Sequence, residues 1–177
     1  MYFNEQLASL VNAALREDVG DGDHSTLSTI PASSKGKAIL KIKQDGILAG
    51  VDVAKKIFHL LDHASNFNQM KSDGDFMKVG ELAFEVEAHV HTILKCERLV
   101  LNCMQRMSGI ATLTKTYTDK LIGYRTKLLD TRKTTPNFRL LEKEAVRIGG
   151  GINHRFGLFD MIMNRTTMKR CHPQNKN

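Results

Sequence analysis

The sequence predicts an α/β fold, and three observations carry that reading. Leu82 to Val90 alternates, with Leu82, Phe84, Val86, Ala88 and Val90 on one side and Glu85, Glu87 and His89 on the other, the period of a strand with one buried face. Val53 to Leu61 sets Val53, Ile57, Leu60 and Leu61 on one helical stripe. Between Lys127 and Met163 the order strand, loop, helix, strand describes the opening of a parallel α/β unit.

Taken in order, residues 5–17 place Leu7, Leu10, Val11 and Ala14 at helical spacing before Gly20-Asp21-Gly22-Asp23 breaks the pattern. Lys37 to Lys43 reads as a half-buried strand with Ala38, Leu40 and Ile42 inward, and Gly46 to Gly50 as a short strand bounded by glycines. Thr92 to about Met107 is apolar enough to predict a helix buried on most of its surface. A second helix is expected from Ile110 to Ile122, ended by Gly123, with Ser108-Gly109-Ile110-Ala111-Thr112 as the junction and Ser108 and Thr112 as caps. Lys127 to Asp130 then reads as a strand, Thr131 to Pro136 as a polar loop, Leu140 to Ile148 as a helix closed by Gly149-Gly150-Gly151, and Phe159 to Met163 as the next strand.

Composition bounds the function. A chain of 177 residues, 41% apolar, can bury one or two modest cores. The start, Met-Tyr-Phe-Asn-Glu-Gln, has neither the basic nor the apolar segment of a signal peptide, and no run approaches the roughly 20 apolar residues of a membrane span. Cys96, Cys103 and Cys171 make an odd count without metal spacing, so reduced thiols in a cytoplasmic protein are expected. Of the net charge of +7, the acid-free stretch from Met161 to Asn177 supplies four through Arg165, Lys169, Arg170 and Lys176. The remaining excess of three suits an enzyme of anions and argues little for nucleic acid.

Three segments place polar groups where a core has no use for them. Glu97-Arg98 interrupts an apolar helix; Arg98 either pairs locally and snorkels to solvent or is delivered to something anionic. Asp130-Thr131-Arg132-Lys133-Thr134-Thr135-Pro136 follows a strand, where α/β barrels hold their sites, and its adjacent cations and hydroxyls suit phosphate or carboxylate unless the loop is merely solvated. Gly149-Gly150-Gly151-Ile152-Asn153-His154-Arg155 joins glycines that let backbone approach a ligand to His154 and Arg155. With no phosphate-binding glycine-Lys loop, dinucleotide fingerprint, zinc spacing or nucleophile elbow, the residues describe a cationic pocket for a small, multiply charged anion.

As a set in register, these strings with Ser108-Gly109-Ile110-Ala111-Thr112, Gly157-Leu158, Asp160 and the early Glu17-Asp18-Val19-Gly20 resemble quinolinate phosphoribosyltransferase, also called nicotinate-nucleotide pyrophosphorylase (carboxylating), from about Leu7 to Met163. The resemblance implies an N-terminal α/β sandwich domain over residues 1–111 and, over 112–163, the opening strands of an incomplete type II phosphoribosyltransferase α/β barrel. It implies transfer from phosphoribosyl pyrophosphate to quinolinate, giving nicotinate mononucleotide, pyrophosphate and CO₂. Mg²⁺ is the implied cofactor, with acidic ligands beyond this chain, and the implied assembly is a homodimer or higher homo-oligomer. Neither a nucleic acid nor a membrane partner is implied. By the same resemblance Arg98 reaches the neighbouring subunit's pocket, Arg132, His154 and Arg155 hold the quinolinate carboxylates, and Lys133 stands on the phosphoribosyl side as a catalytic residue with Arg98. A paralogue for another pyridine-like substrate and an inactive remnant are the alternatives.

After Met163 the family continues Lys-Asp-Asn-His, whereas residues 164–177 form a basic tail with Arg165 in the place of the family's substrate-binding Lys. That tail is expected to be disordered. Deleting one A from AAG GAC AAC CAT gives AGG ACA ACC AT, which with a following G encodes the Arg165-Thr166-Thr167-Met168 found here, so a single-base frameshift is the expected origin.

Overall fold

The computed structural model describes residues 2–162, with α1 Tyr2–Val19, α2 His24–Thr29, β1 Lys35–Lys41, β2 Gly46–Ile47, α3 Val51–Leu61, β3 Asn66–Gln69, β4 Phe76–Met77, β5 Leu82–His89, α4 Val90–Asp119 and α5 Arg139–Ile148. The tail 164–177 and the last residue of the strand expected at 159–163 lie outside the described residues.

The alternating segment at Leu82 becomes the centre of an antiparallel sheet ordered β1-β5-β3, with Val86 opposite both Ala38 and Phe67. Its inward face carries Phe84, Val86 and Ala88, all buried, while outward Glu85 meets Lys37 at 2.5 Å. Phe67 joins Phe84 at 4.5 Å between ring centroids, and both lie near Phe58 of α3, so sheet and helix share an aromatic cluster. Helix α3 buries Val51, Val53, Ala54, Ile57 and Phe58, and α1 adds Leu7 and Val11 to the same core. The Asp73 carboxylate caps α3 by accepting from Val51 N at 2.8 Å.

Helix α4 corrects the expected junction. It runs unbroken through Ser108-Gly109, and Ser108 and Thr112 cap nothing: each hydroxyl is spent on backbone of the β2 segment. Ser108 Oγ accepts from Ala49 N at 3.0 Å and donates to Ala49 O at 3.2 Å, while Thr112 Oγ1 accepts from Ile47 N at 2.8 Å. A helix needs no cap inside a continuous hydrogen-bond ladder, so these side chains are free to satisfy a strand too short to pair along its length. The expected burial of most of the surface between Thr92 and Met107 is also corrected, since Leu94, Lys95, Glu97, Arg98, Asn102, Gln105 and Arg106 are exposed. Cys96, Val100, Cys103, Met104, Met107, Ser108, Ala111 and Thr114 form one buried face, whereas Leu94, Arg98, Leu113 and Tyr117 are exposed. The helix ends at Asp119, ahead of Gly123, which adopts φ +88° in the following turns.

Past α4 the expected strands shrink. Lys127 to Asp130 contributes a single parallel bridge, Leu129 to Ile152, and Phe159 to Ile162 forms no strand within the described residues. Asp160 instead folds the chain back, accepting from Phe156 N at 2.6 Å and Gly157 N at 2.8 Å. Helix α2 and strands β3 and β4 appear where the sequence reading has no element: Asp23 caps α2 through Thr26, and β3 exists through its pairing with β5.

Candidate anion-binding site

The bridge between Leu129 and Ile152 sets the site's geometry. Ile152 N donates to Leu128 O at 2.9 Å and Asp130 N to Ile152 O at 3.1 Å, so two chain segments leave the bridge side by side in the same direction. One is the Thr131–Pro136 loop with Arg132 and Lys133, and the other carries His154 and Arg155. Four of the five residues singled out from sequence thus lie on adjacent segments. Lys133 is exposed, Arg132 and His154 are half-buried, and Arg155 is buried with Nη1 donating to Met161 O at 3.3 Å. The fifth, Arg98, stands apart on the exposed side of α4 and makes no bond to these residues among those described. Its exposure agrees with either expected course, snorkelling to solvent or delivery to an external anion.

Helix α5 holds the two segments together. Asp130 and Lys143 are a buried ion pair at 2.5 Å; Asp130 Oδ1 also accepts from His154 N at 2.8 Å, and Lys143 Nζ also donates to His154 O at 2.9 Å. In the orientation its neighbours require, the Asn153 amide nitrogen donates to Asp130 Oδ2 and Lys143 O, both at 2.8 Å. One turn earlier, Arg139 donates to Thr134 Oγ1 at 3.0 Å, Arg132 O at 3.3 Å and Phe156 O at 3.0 Å. Glu142 accepts from Arg106 at 2.6 Å and from Thr135 N at 3.2 Å. Burial pushes the Glu142 carboxyl up, but Arg106 and Thr135 outweigh it and hold the group below its ordinary range. Backbone N–H groups of Phe156 and Gly157 likewise depress Asp160.

Sequence reasoning missed Arg139, Glu142 and Lys143. An amphipathic helix normally turns such residues to solvent, and the one available signal was Lys143 standing three residues from both Leu140 and Val146. The three glycines need a correction too. A Cβ on Gly149 would lie 2.5 Å from Ala111 O and 2.6 Å from Thr114 Cβ, and one on Gly151 2.6 Å from Val146 Cγ1. Their close approach is therefore to α4 and to the end of α5, where Thr118 Oγ1 donates to Gly149 O, and not to a ligand.

Comparison with known proteins agrees with this architecture. The family model "Quinolinate phosphoribosyl transferase, N-terminal domain" matches residues 23–108, and that for the C-terminal domain matches residues 110–177. The chain belongs to the quinolinate phosphoribosyltransferase family. Over 158 residues, 89% of this chain, it is 46% identical to a chloroplastic nicotinate-nucleotide pyrophosphorylase [carboxylating] of Oryza sativa subsp. japonica. It is 45% identical over the same length to the probable enzyme of that name in Bacillus subtilis (strain 168). The crystal structure of NadC from Streptococcus pyogenes superposes with a TM-score of 0.86 at 43% identity, over 94% of this chain and 59% of that one. The chain spans about half the length of the curated relatives it matches, 42% of the rice protein and 54% of the Bacillus one. Family members carry names assigning them to chloroplasts and mitochondria as well.

Among the described residues no group of three His, Cys, Asp or Glu side chains lies together, and Asp130 is committed to Lys143 and His154, so these residues make no all-protein cage, an arrangement Mg²⁺ seldom uses. No described helix is long and apolar enough to cross a membrane.

Proposed function

We propose that this chain carries the quinolinate-binding part of a phosphoribosyltransferase that joins quinolinate to phosphoribosyl pyrophosphate, releasing pyrophosphate and CO₂ and leaving nicotinate mononucleotide. The observation that carries the proposal is the pairing of Arg132-Lys133 with His154-Arg155 on adjacent segments leaving one parallel bridge. Arg132, His154 and Arg155 hold the two carboxylates, Lys133 faces the phosphoribosyl group, and Arg98 serves the partner's site in a homodimer. Mg²⁺ accompanies the pyrophosphate on ligands beyond these residues. Domains of 1–111 and 112–163, a cytoplasmic setting and the absence of a nucleic-acid partner belong to the same reading.

The chemistry suits such a cationic cradle. The pyridine nitrogen forms a bond to ribose C1 as the bond to pyrophosphate breaks, and fixing the dianion in line supplies much of the acceleration. Quinolinate then loses its 2-carboxylate as CO₂, leaving an electron pair on ring carbon that neighbouring cations stabilise until a proton arrives.

Titration of the whole chain with quinolinate and with nicotinate tests this reading. Two held carboxylates predict that quinolinate binds at least about tenfold more tightly, since losing a charge-assisted contact costs about 1.5–3 kcal/mol. Equal affinity for nicotinate would overturn the substrate assignment. Binding without turnover is a second reading, favoured by the exposure of Leu129 and Ile152, 52% and 44%, on the segments that carry the site. A pyrophosphate-release assay separates the two readings.

A further inference from the structure

We infer that Arg139 and Lys143, one turn apart on α5, are the positioning residues of the carboxylate site, each bonded to both of the segments that carry it. The inference rests on the reading of function above. Neither residue is placed to meet a ligand. Lys143 is buried and its ammonium is used on Asp130 Oδ1 and His154 O, while the Arg139 guanidinium is used on Thr134 Oγ1, Arg132 O and Phe156 O.

The pattern of acceptors sets this apart from ordinary packing. The carbonyls taken belong to Arg132, His154 and Phe156: two of the residues assigned to the carboxylates and the residue following the third. Each cation spans the gap between segments, Arg139 from Arg132 to Phe156 and Lys143 from Asp130 to His154. Among the described residues the backbone link between those segments is the bridge at Leu129 and Ile152, and beyond it Arg139 and Lys143 act together with the Asp130 carboxylate, which accepts from His154 N and Asn153. Residues four apart on a helix project on the same face, so one rigid element fixes both crosslinks. A planar guanidinium can reach three acceptors in divergent directions; an ammonium at the same place cannot.

Two variants of the whole chain separate positioning from folding. R139K keeps a charge and a good helix former. D130N/K143M replaces the buried ion pair with neutral groups, a change that buried pairs often tolerate without loss of stability, while removing the bond to His154 O. Thermal melting, calorimetric titration with quinolinate, and amide exchange at Thr135, His154 and Phe156 are measured for each. The expected result is melting within a few degrees of the parent, quinolinate binding weakened roughly tenfold or more as misplaced contacts demand, and faster exchange at those amides. Parent-like affinity in both variants overturns the inference, and in one it removes that residue from the pair. If the parent chain binds no quinolinate, the functional reading fails by itself; exchange then decides, and unchanged rates at the three amides overturn the positioning role as well.

Discussion

The Ser108 hydroxyl straddles the backbone of Ala49, accepting from its N–H at 3.0 Å and donating to its carbonyl at 3.2 Å, 59 residues away in sequence. Both groups are buried, and Ala49 has no exposed surface. Replacing Ser108 by Ala leaves a donor and an acceptor without partners in a dry site, which costs about 1–3 kcal/mol. Chemical denaturation of S108A should show a lower midpoint with an unchanged slope. A midpoint equal to the parent's would mean that water replaces the hydroxyl.

Two glycines of neighbouring helices should respond in opposite directions. Gly109 lies inside α4, and a methyl group there would meet nothing within 4 Å, so G109A gains roughly 0.5–1 kcal/mol from helix propensity. A methyl on Gly149 meets the Ala111 carbonyl at 2.5 Å, and backbone cannot yield cheaply. G149A should lose about 1–3 kcal/mol. Paired melting curves check both signs, and stabilisation by G149A would show that the end of α5 does not pack on α4 as described.

The residues of the candidate site were easier to single out in the sequence than those that hold their segments together. The alternation at Leu82, the stripe at Ile57 and the Leu7–Val11 pair are local periodicities, and each became an element in place. Arg132, Lys133, His154 and Arg155 stood out because polar strings beside glycine and proline are hard to assign to a core. The failures share another cause. Ser108 and Thr112 look like caps by type, and only contacts with Ala49 and Ile47 some 60 residues upstream reveal their use. Strand β3, Asn-Phe-Asn-Gln, has one apolar residue and owes its conformation to β5. Lys143 reads as a solvent-facing lysine until Asp130 and His154 are brought to it.

Acid should loosen the start of α4 through Asp62. Its carboxylate accepts from His89 Nδ1 at 2.8 Å and His89 N at 3.2 Å, and these bonds, the ring contact first, hold its pKa below the ordinary value. A depressed folded-state value means that the stabilisation is present above the unfolded pKa of about 3.9 and is lost as pH falls through the folded one. Melting temperature followed from pH 5 to pH 2.5 should therefore fall more steeply for the parent than for D62N. Parallel curves would show that the Asp62–His89 contact carries no linkage.

Amide exchange should grade the fold from one end to the other. Strand β5 is paired on both edges and backed by Phe84 and Val86, so its amides open only with global unfolding. Residues 159–162 are exposed, with Phe159 at 74%, and outside any strand. Strong protection in β5 with little at 159–162 is expected. Equal protection would mean that the segment after Asp160 is covered in solution.

Arg98 offers the sharpest test of assembly. It projects from the exposed face of α4, apart from Arg132, Lys133, His154 and Arg155 of its own chain, so if it contributes to a quinolinate site that site is a partner's. Consider R98A and H154A, each expected to abolish quinolinate binding alone. In a mixed dimer one site combines His154 of the R98A chain with Arg98 of the H154A chain and is intact, while the other lacks both groups. Random pairing of equal amounts makes half the dimers mixed and leaves about one site in four functional, as two-fold symmetry requires. Calorimetry on the unfolded-and-refolded mixture should then recover roughly a quarter of the parent's binding stoichiometry at parental affinity. No recovery would place Arg98 in its own subunit's site or in none, and normal binding by R98A alone would remove it from quinolinate recognition.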